Sequence, residues 1–211
     1  MDELRKISLW FPTLIYENIL KSFVEHNDYL ISKAYDIRSN SPETKTSWSC
    51  DTYNTLLQYN ANKDNDSIIV SLVNECKSLV IDFAKEFGVD ATTDSLVCND
   101  FWFNVGEPGA YQEYHMHPRS DFSVVYYAKV NKDSGNIVFQ DTSSMSDSFP
   151  LVTDKLTYAS YRTCSYTPKN SLVLIFRSGL AHMVEKNMSN EDRVSIAMNF
   201  RFKEGTDESI N

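Results

Sequence analysis

Of the four histidines in the chain, three stand in patterns suited to a mononuclear metal site. His115 and His117 lie two residues apart in Glu113-Tyr114-His115-Met116-His117, and His182 follows the turn Gly179-Leu180-Ala181. Imidazole is a borderline ligand that suits Fe, Zn and Cu, and side chains at i and i+2 of a strand point to the same face. An H-x-H strand can therefore offer two ring nitrogens to one ion, with His182 as a third. Eleven residues after His182, Arg193-Val194-Ser195 opens an alternating run. A guanidinium grips a carboxylate with two parallel hydrogen bonds, and a serine hydroxyl two residues along can add another. The pattern is that of a metal centre with an anion-binding partner.

On a regular strand, Tyr111, Glu113, His115 and His117 share one face, and Gln112, Tyr114 and Met116 the other. An isolated H-x-H is more safely read as two solvent-facing histidines on an edge strand, but the third histidine shifts the balance towards a ligand set. Two histidines and a glutamate facing a core would each carry a polar burial cost that a metal relieves. In the Arg193 run, Arg193, Ser195, Ala197 and Asn199 form a polar face with room beside the small residue. Val194, Ile196, Met198, Phe200 and Phe202 form an apolar one.

These residues need strands to hold them. From residue 96 the apolar period is two, predicting strands over 97–105, 111–117, 122–130, 136–140, 172–176, 183–185 and 193–202. Turn signals separate them at Gly106-Glu107-Pro108-Gly109, Lys132-Asp133-Ser134-Gly135, Ser178-Gly179 and Asn187-Met188-Ser189-Asn190. Many short strands with polar turns predict a sandwich or closed barrel. Upstream, residues 7–16 read as an edge strand broken by Pro12. A first amphipathic helix is predicted over 17–37. Residues 48–62 read as loop with a short extended piece. A second helix carries Ile69, Leu72, Val73, Cys76, Leu79, Val80, Phe83 and Phe87, with caps at Asn65-Asp66-Ser67 and a stop at Gly88. The stretch 141–170, rich in Ser, Thr and Tyr, reads as a long loop of the kind that forms lids.

A chain of 211 residues with 42% hydrophobic and 23% charged residues is most simply one globular domain. Its expected parts are an N-terminal strand and covering helices (1–95), a β core (96–203) and a tail (204–211). The net charge of −9 disfavours a nucleic-acid surface, since phosphate contacts need clustered Lys and Arg. No run approaches the roughly 18 apolar residues of a membrane helix. Cys50, Cys76, Cys98 and Cys164 form no C-x-x-C pair and are expected to be reduced, as in a cytoplasmic protein.

The order H-x-H…H…R-x-S resembles the non-haem Fe(II), 2-oxoglutarate-dependent oxygenases. The approach 104–117 (NVGEPGAYQEYHMH) is similar to the metal strand of prolyl hydroxylase-like members. The segment 121–139 resembles their next two strands, glycine turn included. The set H-x-H-P-x-S-x-x-S, Y-Y, S-G-x-x-x-F and R-x-S-I-x-x-N-F resembles a group of bacterial and phage members and spans about residues 96–203. The resemblance implies a mainly β protein with flanking helices, a double-stranded β-helix (jelly roll, cupin-like) covered by N-terminal helices. It implies Fe(II) on His115, His117 and His182. It places the distal carboxylate of 2-oxoglutarate on Arg193 and Ser195, with Tyr127 and Asn104 as further contacts. The implied reaction releases succinate and CO2 while hydroxylating a small-molecule or peptide substrate.

The chain departs from the family at His117, where a carboxylate is usual; Glu113 or Asp121 could supply one instead. Three neutral ligands leave a more positive iron. Two other readings therefore stand beside the first: a three-histidine dioxygenase that does not use 2-oxoglutarate, and a non-catalytic module that binds a metal or small acid. The pocket's outer wall is expected from the N-terminal helices and the 141–170 stretch. Substrate and oligomeric state are not legible.

Overall fold

Most strands between residues 96 and 202 alternate in polarity because each has two environments to satisfy, and the computed structural model shows what they are. It describes residues 6–8, 10–42, 52–56, 65–141 and 152–203. Ten strands are seen among them: β1 Ile15–Ile19, β2 Tyr53–Asn54, β3 Leu96–Gly106, β4 Gln112–His115, β5 Phe122–Lys129, β6 Ile137–Gln140, β7 Thr163–Tyr166, β8 Leu172–Arg177, β9 His182–Val184 and β10 Arg193–Phe202. They form a six-stranded sheet in the order β1-β8-β5-β10-β3-β2 and a four-stranded sheet in the order β4-β9-β6-β7. Every pairing is antiparallel. From β3 onward the chain crosses repeatedly between the sheets, the winding of a jelly roll.

The larger sheet is buried on both sides. On its outer face Val194, Ile196, Met198 and Phe200 of β10 and Phe122, Val124 and Tyr126 of β5 join Leu30 and Ala34, and Ile69, Leu72, Cys76 and Val80, in one core cluster. Those last residues come from helices α1 (Asn27–Asn40) and α2 (Ser67–Ala84). On its inner face Tyr127, Leu172, Leu174 and Phe176 pack on Ile137 and Phe139 of the smaller sheet. Strand β8 is apolar and buried on both faces, so its sequence LVLIF shows no alternation. At about 25 cal/mol per Å² of apolar surface, each fully buried Leu, Ile or Phe favours the fold by roughly 1.5–3 kcal/mol before entropy is charged.

Local chemistry sets the boundaries. The Asp66 carboxylate accepts from the backbone N–H groups of Ile68 and Ile69 at 3.1 and 3.2 Å and starts α2. Gly88 closes the following 3-10 turn at φ 76°. Gly135 is obligatory on two counts: φ is +88°, and a Cβ there would lie 2.2 Å from the Glu185 carbonyl oxygen.

Four sequence expectations change. Strand β1 starts after Pro12 and runs to Ile19 on the sheet edge, displacing the first helix; a 3-10 turn at Lys21–His26 precedes α1, which extends to Asn40. Gly106 ends β3 instead of opening the turn. The 141–170 stretch contains β7, whose exposed residues Thr163–Ser165 on an outer strand carry no burial pattern to read. Finally, α1 and α2 cover the outer face of the large sheet and line no part of the cavity described below. Cys50 and residues 142–151 lie outside the described residues. Cys76, Cys98 and Cys164 are free thiols. Among the described residues no helix is long and apolar enough to cross a membrane.

Candidate metal centre and its cavity

Between the sheets lies a cavity of about 110 Å³, and both predicted clusters open into it. A water molecule needs roughly 10–15 Å³ on this measure, so a molecule of on the order of ten heavy atoms can be housed. His115, His117 and His182 line it, as do Arg193, Ser195, Tyr127 and Asn104. All seven residues that the resemblance assigned to iron and 2-oxoglutarate thus meet in one place, whereas Glu113 and Asp121 do not line the cavity.

The histidines are held differently. His115 at the end of β4 and His182 at the start of β9 are direct cross-strand partners. Each ring Nδ1 lies against the carbonyl two residues earlier, that of Glu113 at 2.8 Å and that of Leu180 at 2.9 Å. A carbonyl only accepts, so Nδ1 carries the proton and Nε2 keeps its lone pair. His117 lies beyond the β4 ladder; its backbone N–H donates to the Ser178 carbonyl at 2.9 Å and its ring packs on Trp102.

Burial pushes all three imidazoles below their ordinary pKa: His115 downward, His117 to about 4, and His182 well below the usual range. Mutual repulsion of the cationic forms adds to burial for His117 and His182. At neutral pH all three are therefore uncharged and able to offer a lone pair.

The ligand atoms of the three all lie within 4.8 Å of one another. Three nitrogens at about 2.0–2.1 Å from one ion lie roughly 3.0–3.4 Å apart in octahedral or tetrahedral geometry, so the widest pair has to close by no more than about 1.4–1.8 Å when an ion binds. The donors present thus fit a divalent transition metal. No carboxylate joins this set among the described residues. Asp121 turns elsewhere, its carboxylate accepting from the Phe202 backbone N–H at 2.9 Å. The regular alternation expected for residues 111–117 also fails: the β4 register shifts between Gln112 and His115, and Gln112 lines the cavity.

On the large sheet Ser195 pairs with Asn104 of β3 on one side and Tyr127 of β5 on the other, so the three form a row across the cavity wall. Arg193 pairs with Gly106 and is only 4% exposed. Among the described residues its hydrogen bonds go to backbone carbonyls, Ser134 and, at 3.5 Å, Gly135, and no carboxylate pairs with it. Burial draws its pKa down, while the neighbouring Tyr127, itself pushed up to about 12 by burial, works in the opposite direction. A buried guanidinium supported only by neutral dipoles is well placed for an anionic ligand.

Two contributors were not legible in the sequence. Gly106 leaves room for the guanidinium, since a Cβ there would lie 3.2 Å from Arg193 Nη2. Trp102 joins Thr52, Asn54 and Leu56 in lining the cavity; the last three flank or belong to β2 and take the part expected of the helices. A tryptophan in an alternating strand reads as core, so nothing in the chain marked it.

The family model described as "Putative 2OG-Fe(II) oxygenase" matches residues 100–199, the segment that bears every one of these side chains except Thr52, Asn54 and Leu56. Solved structures share the fold at low identity. A prolyl-4-hydroxylase from Pseudomonas putida superposes with a TM-score of 0.63 at 12% identity, over 91% of this chain and 94% of that one. The viral collagen prolyl hydroxylase of Paramecium Bursaria Chlorella virus-1 gives 0.57 at 12% identity, over 90% and 96%. A 2OG-Fe(II) oxygenase family oxidoreductase from Burkholderia pseudomallei gives 0.58 at 13% identity, over 89% and 84%. No curated protein matches the chain.

Proposed function

We propose that this chain, a 2-oxoglutarate/Fe(II)-dependent oxygenase over residues 100–199, hydroxylates a small-molecule or peptide substrate with His115, His117 and His182 as the iron ligands. The observation that carries this reading is the meeting, in one cavity, of three uncharged imidazoles and a buried arginine with no carboxylate partner among the described residues. When bound, iron and 2-oxoglutarate supply the oxidising power: O2, 2-oxoglutarate and R–H give succinate, CO2 and R–OH.

The chain's own residues do the rest. Neutral imidazoles present lone pairs at neutral pH, and the Glu113 and Leu180 carbonyls fix two of the rings in the tautomer that ligation needs. Arg193 and Ser195 take the distal carboxylate of 2-oxoglutarate, with Tyr127 and Asn104 beside them in the same row. The walls of Phe176, Val125 and Ile137 keep water away and strengthen that charge-assisted pair. The prime substrate approaches from the side of Thr52, Asn54, Leu56 and Trp102, a lining of neutral polar and apolar groups that suits a small molecule or a peptide side chain.

The three-histidine ligand set favours a second reading, a dioxygenase that uses no 2-oxoglutarate. Such an enzyme has no need of the Arg193–Ser195 pair, which is why it ranks second. Succinate formation by the purified protein, given Fe(II), 2-oxoglutarate and O2 without a prime substrate, decides between them. Slow, O2-dependent succinate release is expected. If iron binds but 2-oxoglutarate neither binds nor decarboxylates, the second reading replaces the first.

A further inference from the structure

We infer that Asp100, Asn199, Ser123 and Ser178 form a positioning chain for His117, the ligand that stands where relatives of this family are expected to place a carboxylate; the inference rests on the metal role proposed above.

His117 needs such support more than its companions do. It lies outside the β4 ladder, and no ring hydrogen bond of the kind seen for His115 and His182 is found for it among the described residues. Its backbone is tied instead to the turn after β8, where the Ser178 carbonyl accepts its N–H at 2.9 Å. That turn is fixed from below. Ser178 Oγ lies 2.8 Å from Ser123 Oγ, Ser123 Oγ lies 2.8 Å from Asn199 Oδ1, and Asn199 Nδ2 lies 3.0 Å from Asp100 Oδ2.

The direction of every bond follows from the charged end. A carboxylate only accepts, so the Asn199 amide nitrogen faces Asp100 and its oxygen faces Ser123. Ser123 spends its single proton on that oxygen, so Ser178 must donate to Ser123. Asn99 pins the same carboxylate oxygen at 2.8 Å, and its amide nitrogen also reaches Ser120 Oγ at 3.0 Å. The result is a chain of one polarity, running from a partly exposed carboxylate through three residues at most 5% exposed to the backbone of a metal ligand. Ser123 and Asn199 line the cavity, but the second amide proton of Asn199 is the only donor the pair has left over for an anionic ligand, so these are read as positioning residues, not ligand contacts. Groups that orient metal ligands typically change metal affinity ten- to a hundred-fold when removed.

The test is titration of the metal-free, full-length protein with Co(II), following both affinity and the visible absorption of the bound ion. Ser123→Ala breaks the chain at its centre; its Kd for Co(II) should rise about ten- to a hundred-fold with a shifted visible spectrum. Ser123→Thr, which keeps the hydroxyl and can place its methyl towards the cavity, should restore both. A Ser123→Ala protein that melts earlier but binds Co(II) with the parent's Kd and spectrum would show a merely structural network and overturn the inference. Should Ser123→Ala not fold, Asp100→Asn at the exposed end takes its place. A several-fold rise in Kd with the same spectral shift then supports the chain, and parent-like values overturn it. If the parent itself binds no Co(II), the metal role falls, and the positioning role with it.

Discussion

His115 and His182 face each other across the β4–β9 pair with ring centroids 4.1 Å apart, each backed by the carbonyl two residues before it. Two strands of the small sheet thus present a matched pair of ring nitrogens. Replacing either by Ala removes one proposed ligand and, for His182, a nearly fully buried ring; Co(II) or Fe(II) binding should be lost in a calorimetric titration. His117→Asp is the informative contrast. It installs the carboxylate usual in the oxygenases that the chain resembles, and under the proposed function O2-dependent succinate release should persist with a changed Co(II) spectrum.

Arg193→Met keeps the bulk of the side chain but loses the charge and the fork. Loss of a buried charge-assisted pair costs about 2–5 kcal/mol, so 2-oxoglutarate affinity should fall by at least about thirty-fold. Co(II) affinity should be unchanged, because Arg193 lies on the opposite sheet from His115 and His182. Equal 2-oxoglutarate binding by parent and variant would show the clamp to be misassigned.

Gly106 gives a subtler test of the same clamp. The Cβ of Gly106→Ala meets the guanidinium at 3.2 Å and forces a shift of a few tenths of an ångström; the branched side chain of Gly106→Val demands more. Weakened 2-oxoglutarate binding, graded from Ala to Val, is expected with metal affinity kept.

The metal-free protein should lose stability on acidification through the site itself. An unfolded imidazole titrates near 6.5, whereas folded His117 is held down to about 4. Between these values the unfolded chain binds the extra proton. His117's contribution is therefore intact above pH 6.5 and is lost at up to about 1.4 kcal/mol per pH unit as pH falls towards 4. Urea unfolding of the metal-free parent and of His117→Gln from pH 7 to 4.5 checks this; the variant should show the shallower pH dependence.

Thiol chemistry separates the described cysteines. Burial raises the Cys98 thiol to about 12 and Cys76 further, so neither should be alkylated at pH 8 in the native protein. Cys164 on β7 is exposed and should react first, its rate slowed by a thiol pKa also raised by partial burial. Peptide mapping after iodoacetamide treatment reads each site.

By itself the sequence singled out seven residues that the fold brings into one cavity, and it showed how most core strands alternate. Strand β10 shows why: Arg193, Ser195, Ala197 and Asn199 face the cavity while Val194, Ile196, Met198 and Phe200 face the helices, a contrast that period-two patterning carries in full. Helix α2 was equally legible, because its apolar positions recur at helical spacing behind an Asp66 cap. Tertiary structure decided what pattern cannot encode. The register shift in β4 is a matter of pairing with β9, so it moved Gln112 into the cavity against simple alternation. Thr163–Tyr166 became strand β7 by pairing with β6, with little burial of its own. The room beside Gly106, the ring of Trp102 against His117, and the chain from Asp100 to Ser178 all join residues distant in sequence. Their spacing along the chain holds no trace of that proximity, because only the packing of two sheets brings them within reach.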